Sequence, residues 1–180
     1  MKKVILTVLG QDRPGIVADV TGVLFHANCN IEDSSMTILE GEFAMLLVVS
    51  LPEKMTSAEL KEIFAPLLKS AKLDLSIKTF AEGVLKDMVP EPKNYVISVI
   101  GADKPGIVYH MAKLLAGHAA NITDVETKRI GKGDRVVYAM ILESNIPVNV
   151  KIPDLEAEFQ ELGKKLSVEI TIKAIESLTF

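Results

Sequence analysis

The sequence predicts an α+β fold built twice: two βαββαβ units, each a four-stranded antiparallel sheet with two helices on one face. Three observations carry this. Gly10-Gln11-Asp12-Arg13-Pro14-Gly15-Ile16-Val17 returns as Gly101-Ala102-Asp103-Lys104-Pro105-Gly106-Ile107-Val108, an offset of 91 residues. That offset holds without a gap from residue 5 to 33, where 11 of 29 positions are identical. The hydrophobic period also changes at the same point in both copies, from 2 to about 3.6 residues, as when a strand runs into a helix.

The elements follow in order. Val4, Leu6 and Val8 alternate as a strand, and so do Tyr95, Ile97 and Val99. After Gly-x-Asp-x-Pro-Gly, the residues Ile16, Val20, Val23, Leu24 and Ala27 make one apolar helix face, matched by Ile107, Met111, Leu114 and Leu115. Asn30 and Asn121 open a second strand. Residues 43–51 and 136–143 read as the third, and the second copy carries a longer turn before it, Gly131-Lys132-Gly133-Asp134. Thr56 and Glu59 have capping-box spacing ahead of a helix faced by Leu60, Ile63, Phe64, Leu67 and Leu68. Pro66 inside that helix is expected to kink or shorten it. Leu155, Phe159, Leu162 and Leu166 form the corresponding face in the second copy. Residues 73–77 and 168–172 close the units as fourth strands. Right-handed β-α-β connections then give a ferredoxin-like architecture twice. The first domain is expected at 1–82 and the second at 94–180. The linker is expected at 83–93, where two prolines and four charges cluster.

Composition narrows the function. Hydrophobic residues are 48% and charged residues 24%, which suits a packed globular chain rather than a disordered one. With aromatics at 5% and no Trp, the core must be mostly aliphatic. The formal net charge is −4 and no Lys/Arg run exceeds two, so the basic face of a nucleic-acid binder is missing and no direct nucleic-acid contact is expected. Cys29 is the single cysteine, so no internal disulfide can form; it is expected to pack as a small hydrophobe in a reducing compartment. The apolar run near the N-terminus is short and alternates like a strand. No stretch approaches the roughly 20 apolar residues that span a bilayer. A cytoplasmic protein without membrane association is expected.

The chemistry points to the repeated loop. Pro14 and Pro105 suit a first helical turn, where their missing N–H is not needed. Gly15 and Gly106 let another group approach the backbone. Asp12 and Asp103 suit helix capping. A helix start offers unpaired N–H groups and a positive dipole end to a carboxylate, while a neighbouring Asp suits an ammonium. Together they fit the two ends of a free α-amino acid. The bland alternative is that Asp-x-Pro-Gly does no more than start a helix.

The Gly-x-Asp-x-Pro-Gly-Ile-Val loop, its helix and the Asn-Ile strand start some 15 residues later resemble the ACT domain family over nearly the whole chain. Two copies in about 180 residues resemble its glycine cleavage system transcriptional repressor group. The resemblance implies an amino-acid-sensing regulatory protein, with ligand between paired domains and the loop of one facing the Asn-Ile strand of the other. The residues carried over are Gly10, Asp12, Arg13, Pro14, Gly15, Ile16, Val17, Asn30 and Ile31. In the second copy they are Gly101, Asp103, Lys104, Pro105, Gly106, Ile107, Val108, Asn121 and Ile122. In some relatives the position of Gly10 and Gly101 carries a ligand-contacting side chain, a contact these glycines cannot make.

The chain is therefore expected to bind a small molecule, an amino acid, and to act through a protein partner on transcription. Exposed sheet edges lead us to expect a homodimer. No cofactor, metal or catalytic residue is expected. His26, His110 and His118 are scattered over helices, and no nucleophile elbow, phosphate loop or dinucleotide fingerprint is present. The alternatives are an ACT-fold enzyme and an RNA-binding ferredoxin-like protein. The latter needs exposed aromatics on the two central strands, where Leu6, Val8 and Val48 are read instead.

Overall fold

A computed structural model describes residues 2–79, 93–131 and 136–175. The chain forms two compact units, Met1–Lys86 and Asp87–Phe180. The expected linker at 83–93 falls almost entirely outside the described residues, as does most of the longer turn at 131–134.

The first unit runs β1 (Lys3–Gln11), α1 (Ile16–His26), β2 (Asn30–Leu39), β3 (Glu42–Ser50), α2 (Ser57–Ala71) and β4 (Asp74–Thr79). The second runs β5 (Lys93–Ala102), α3 (Ile107–Gly117), β6 (Asn121–Ile130), β7 (Val137–Ile146), α4 (Ile152–Leu166) and β8 (Val168–Ala174). Strand orders are β2-β3-β1-β4 and β6-β7-β5-β8, all neighbours antiparallel. This is the expected βαββαβ sheet, with the first strand of each copy in the interior.

Alternation along the central strands decides which side chains meet the helices. Val4, Leu6 and Val8 of β1 and Phe43, Met45, Leu47 and Val49 of β3 are buried with Ile16, Val20 and Leu24 of α1 and Leu60 and Phe64 of α2. Tyr95, Ile97 and Val99 do the same with Met111, Leu115, Leu155 and Phe159. Leu6 and Val8 therefore belong to the core, and the open face of the central strands carries Ile5, Thr7, Leu9, Ala44, Leu46 and Val48 instead. That face is still without aromatics. Cys29 is half-buried against the core with its Sγ 3.8 Å from Met55 Sδ, and burial raises its thiol pKa.

Helix α2 differs from expectation. Pro66 does not shorten it: α2 has 15 residues, the same as α4. Pro66 and Glu62, whose carbonyl loses its N–H partner, are both exposed, so solvent can satisfy that oxygen. The capping box forms as the spacing predicts, with Thr56 and Glu59 exchanging bonds.

Candidate functional site

The β1–α1 loop is a turn whose geometry its residues dictate. Ile16 N–H donates to the Arg13 carbonyl at 3.3 Å, with Pro14 and Gly15 between them. Gly15 has φ 87 and ψ −5. Pro followed by a positive-φ Gly is a type II turn. Gly106 repeats the conformation at φ 93 and ψ 0.

This turn overturns two expectations. It delays the helices until Ile16 and Ile107, so Gly15 and Gly106 are the N-caps and no side chain caps either helix. Asp12 and Asp103 stand too early to cap. Pro14 and Pro105 lie just before the N-cap rather than in the first helical turn. The result is a helix start with unanswered donors. Among the described residues no protein acceptor takes the N–H of Val17 or Ala18, nor that of Val108 or Tyr109. All four residues are exposed.

The neighbouring charges differ between copies. Asp12 donates its backbone N–H to the Gly41 carbonyl at 2.8 Å. Among the described residues no side chain pairs with its carboxylate. Arg13 folds back onto Asp19 of α1, Nη2 to Oδ2 at 2.6 Å. In the second unit Asp103 Oδ2 is 2.8 Å from Arg129 Nε, and Lys104 Nζ donates to Ser167 Oγ at 2.8 Å. Tyr138 sits in this group, its pKa raised first by burial and also by Asp103, against a hydrogen bond with Thr127 that lowers it.

Gly10 and Gly101 have a packing role that sequence reasoning missed. A Cβ on Gly10 would stand 2.5 Å from Leu73 Cδ2 and 3.2 Å from the Lys72 carbonyl oxygen. On Gly101 it would meet the Ser167 carbonyl oxygen at 2.5 Å. Lys72 and Ser167 are the left-handed C-caps of α2 and α4, at φ 52 and 59. Each glycine lets a helix-to-strand corner press against the strand beside the loop.

The Asn-Ile strand starts lie elsewhere. Lys3 and Asn30 both pair with Ser50 at one end of the sheet, while Gln11 and Leu39 both pair with Glu42 at the other. Eight residue steps, about 27 Å, separate the ends. Asn30 and Ile31 therefore cannot share a ligand with the Asp12 loop of their own unit. The same holds for Asn121 and Ile122 against the Asp103 loop, since Asn121 pairs with Asn145 and Ile130 with Val137. Both strands slip register straight after the Ile, between Ile31 and Asp33 and between Ile122 and Asp124. At this end Glu32 is held by Lys3 and by the Ser50 hydroxyl, which lower its pKa, and Ser144 Oγ donates to the Asn121 carbonyl at 3.0 Å. A cavity of about 730 Å³ lined by Ala27, Asn28, Pro52, Met55, Glu59 and Ile63 lies near this end, away from the loop.

No group of three His, Cys, Asp or Glu side chains is placed to hold a metal ion among the described residues. His118 instead pairs with Glu158 at 3.0 Å. No helix among those residues is long and apolar enough to cross a membrane.

Two ferredoxin-like units, each with an uncapped helix start beside an aspartate, define a tandem small-domain protein. The profile of the ACT domain matches residues 2–79 and again 93–173. The chain belongs to the ACT domain family. The glycine cleavage system transcriptional repressor of Escherichia coli K12 is 28% identical over 173 residues, 95% of this chain and 89% of that protein. A UPF0237 protein of Streptococcus pneumoniae serotype 4 is 37% identical over 79 residues, 44% of this chain and 90% of that shorter protein. A crystal structure of a protein from Galdieria sulphuraria superposes with a TM-score of 0.81 at 24% identity, covering 97% of this chain and 99% of that one, which shows the shared fold.

Proposed function

We propose that this chain is a regulatory protein that senses a small amino acid at its β1–α1 and β5–α3 loops and passes the signal to a protein partner rather than catalysing a reaction. The observation that carries the reading is the helix start in each loop. Among the described residues no protein acceptor takes the N–H groups of Val17 and Ala18, or of Val108 and Tyr109, and an aspartate stands three residues before each N-cap glycine. Backbone donors at a helix N-terminus suit a carboxylate, and the aspartate suits an ammonium. The first site takes Gly10 near the end of β1, Asp12, Arg13, Pro14 and Gly15 of the loop, and Ile16 and Val17 at the start of α1; the second takes Gly101, Asp103, Lys104, Pro105, Gly106, Ile107 and Val108 in the same places.

The relationship to the glycine cleavage system transcriptional repressor supports a role in transcription. The formal charge of −4 favours action through a protein rather than on DNA directly. The exposed β2 and β6 favour a homodimer, since an uncovered edge strand invites pairing. Light scattering that finds only monomer at high micromolar concentration counts against that part.

The test of the sensing role is a thermal-shift screen of the full chain against the twenty amino acids. A ligand at 100 times its Kd should stabilise by about 2.7 kcal/mol. Stabilisation by none of the twenty overturns the reading.

A further inference from the structure

The two loops share their sequence motif but not their electrostatics. Asp103 is paired with Arg129 at 2.8 Å, a residue of β6 that lies opposite Tyr138 of β7. The same position in the first unit is Ile38 of β2, opposite Phe43 of β3. Three polar groups beside the second loop (Thr127, Arg129 and Tyr138) thus stand where the first has Met36, Ile38 and Phe43. The basic residue of each loop is also committed differently: Arg13 to Asp19 on its own helix, Lys104 to Ser167 at the α4–β8 corner. The carboxylate of Asp12 is left with no side-chain partner among the described residues, whereas that of Asp103 already holds a guanidinium.

We infer that Arg129 occupies the ammonium position of the second loop, so that the two loops are unequal sensors and the first takes the amino group of the ligand by preference. The inference rests on the amino-acid reading of the loops. Its physical basis is competition. An incoming ammonium at Asp103 must displace a cation tethered to the neighbouring strand, while at Asp12 no side-chain cation among the described residues competes with it. Arg129 is largely exposed, with 69% of its side chain accessible, so the handicap is modest: about fivefold at most in midpoint, the upper range for a solvent-screened pair. The helix donors of both loops stay available to a carboxylate, so the second loop is weakened rather than abolished.

The experiment is an NMR titration of the full chain with each of the twenty amino acids, following the amides of Gly15 and Gly106 separately. For any amino acid that moves them, Gly15 should respond at a several-fold lower concentration. R129Q should bring the Gly106 midpoint down towards that of Gly15, R129K should leave it where it is in the wild type, and I38R should raise the Gly15 midpoint. Equal midpoints in the wild type, or a Gly106 midpoint unmoved by R129Q while Gly15 responds, overturn the inference and leave the sensing role standing. If neither glycine responds to any amino acid in wild type or R129Q, the sensing role falls and the inference falls with it.

Discussion

The Cβ that Gly101 lacks would stand 2.5 Å from the carbonyl oxygen of Ser167 and 2.7 Å from Val168 Cα. Both neighbours are backbone, held by the end of α4 and the start of β8, and neither can turn aside. At Gly10 the nearest atom is instead the end of a side chain, Leu73 Cδ2 at 2.5 Å, with the Lys72 carbonyl oxygen at 3.2 Å. Gly101→Ala should therefore destabilise its unit by about 1–3 kcal/mol, the range for overpacking. Gly10→Ala should cost less, because Leu73 can change rotamer. Chemical denaturation of the two variants checks the order; equal costs would mean that the corner in the second unit yields as readily as Leu73.

Gly15 and Gly106 are constrained by conformation and not by space. The nearest group to a Cβ on Gly15 is Arg13 Nη1 at 4.0 Å. Its φ of 87 is the obstacle. Gly15→Ala should cost about 1–2 kcal/mol, the penalty for an L-residue in the left-handed region, and Gly15→Asn less. A β-branched Gly15→Val should cost more than either, so a loss of ligand response in that variant would mix strain with blocked access. Thermal unfolding of the three variants gives the order; a neutral Ala variant would show that the turn can switch type.

How far the sequence foretold these sites depends on the kind of signal. The central strands and helix faces were legible because burial imposes a period, and Leu6, Val20 and Phe64 fall where it requires. β2 gave only its start, since all its residues except Ile31 are exposed and no alternation marks its length. The sequence pattern marks the third strand of the second unit to residue 143, yet β7 continues to Ile146, which is buried at its end. Around the loop the roles that residue type suggests are not those the turn allows. Asp12 reads as a cap by type, but the Pro-Gly turn moves the helix start past its reach. The partner of Asp103 is Arg129, 26 positions away, and only the register of β6 against β7 brings the two together.

Pro66 gives a prediction of opposite sign. It sits exposed within α2, where proline lacks the N–H that would bond the Glu62 carbonyl. Proline in a helix interior is about 3 kcal/mol less favourable than alanine. Pro66→Ala should stabilise the first unit by up to about that amount, read as a higher midpoint in chemical denaturation. A destabilised variant would mean that the ring makes contacts worth more than the missing bond.

The capping box of α2 should make stability depend on pH. Glu59 accepts from the Thr56 N–H and hydroxyl, each at 2.8 Å, and these bonds lower its pKa below the ordinary 4.5. A carboxyl whose folded pKa is depressed stabilises fully above its unfolded value and loses that contribution as pH falls through the folded one. The stability gap between wild type and Glu59→Gln should be present at neutral pH and close as pH falls below 4.5. A gap that stays constant into acid would assign the effect to shape rather than charge.

Among the described residues no side chain pairs with the Asp12 carboxylate, while the Asp12 backbone N–H donates to the Gly41 carbonyl. Asp12→Asn keeps that backbone bond and the side-chain shape while removing the charge. It should change stability by no more than about 0.5 kcal/mol, as expected for a surface substitution that breaks no contact. Asp103→Asn breaks the pair with Arg129 and should cost somewhat more, though less than about 1 kcal/mol, because both partners are accessible to solvent. Denaturation of the two variants without added ligand checks this order. If Asp12→Asn proves the more damaging, its carboxylate is serving the loop itself, and the case for holding it in reserve for an ammonium is lost. If it is silent without ligand and lowers the stabilisation by added amino acids, the carboxylate acts on the ligand alone.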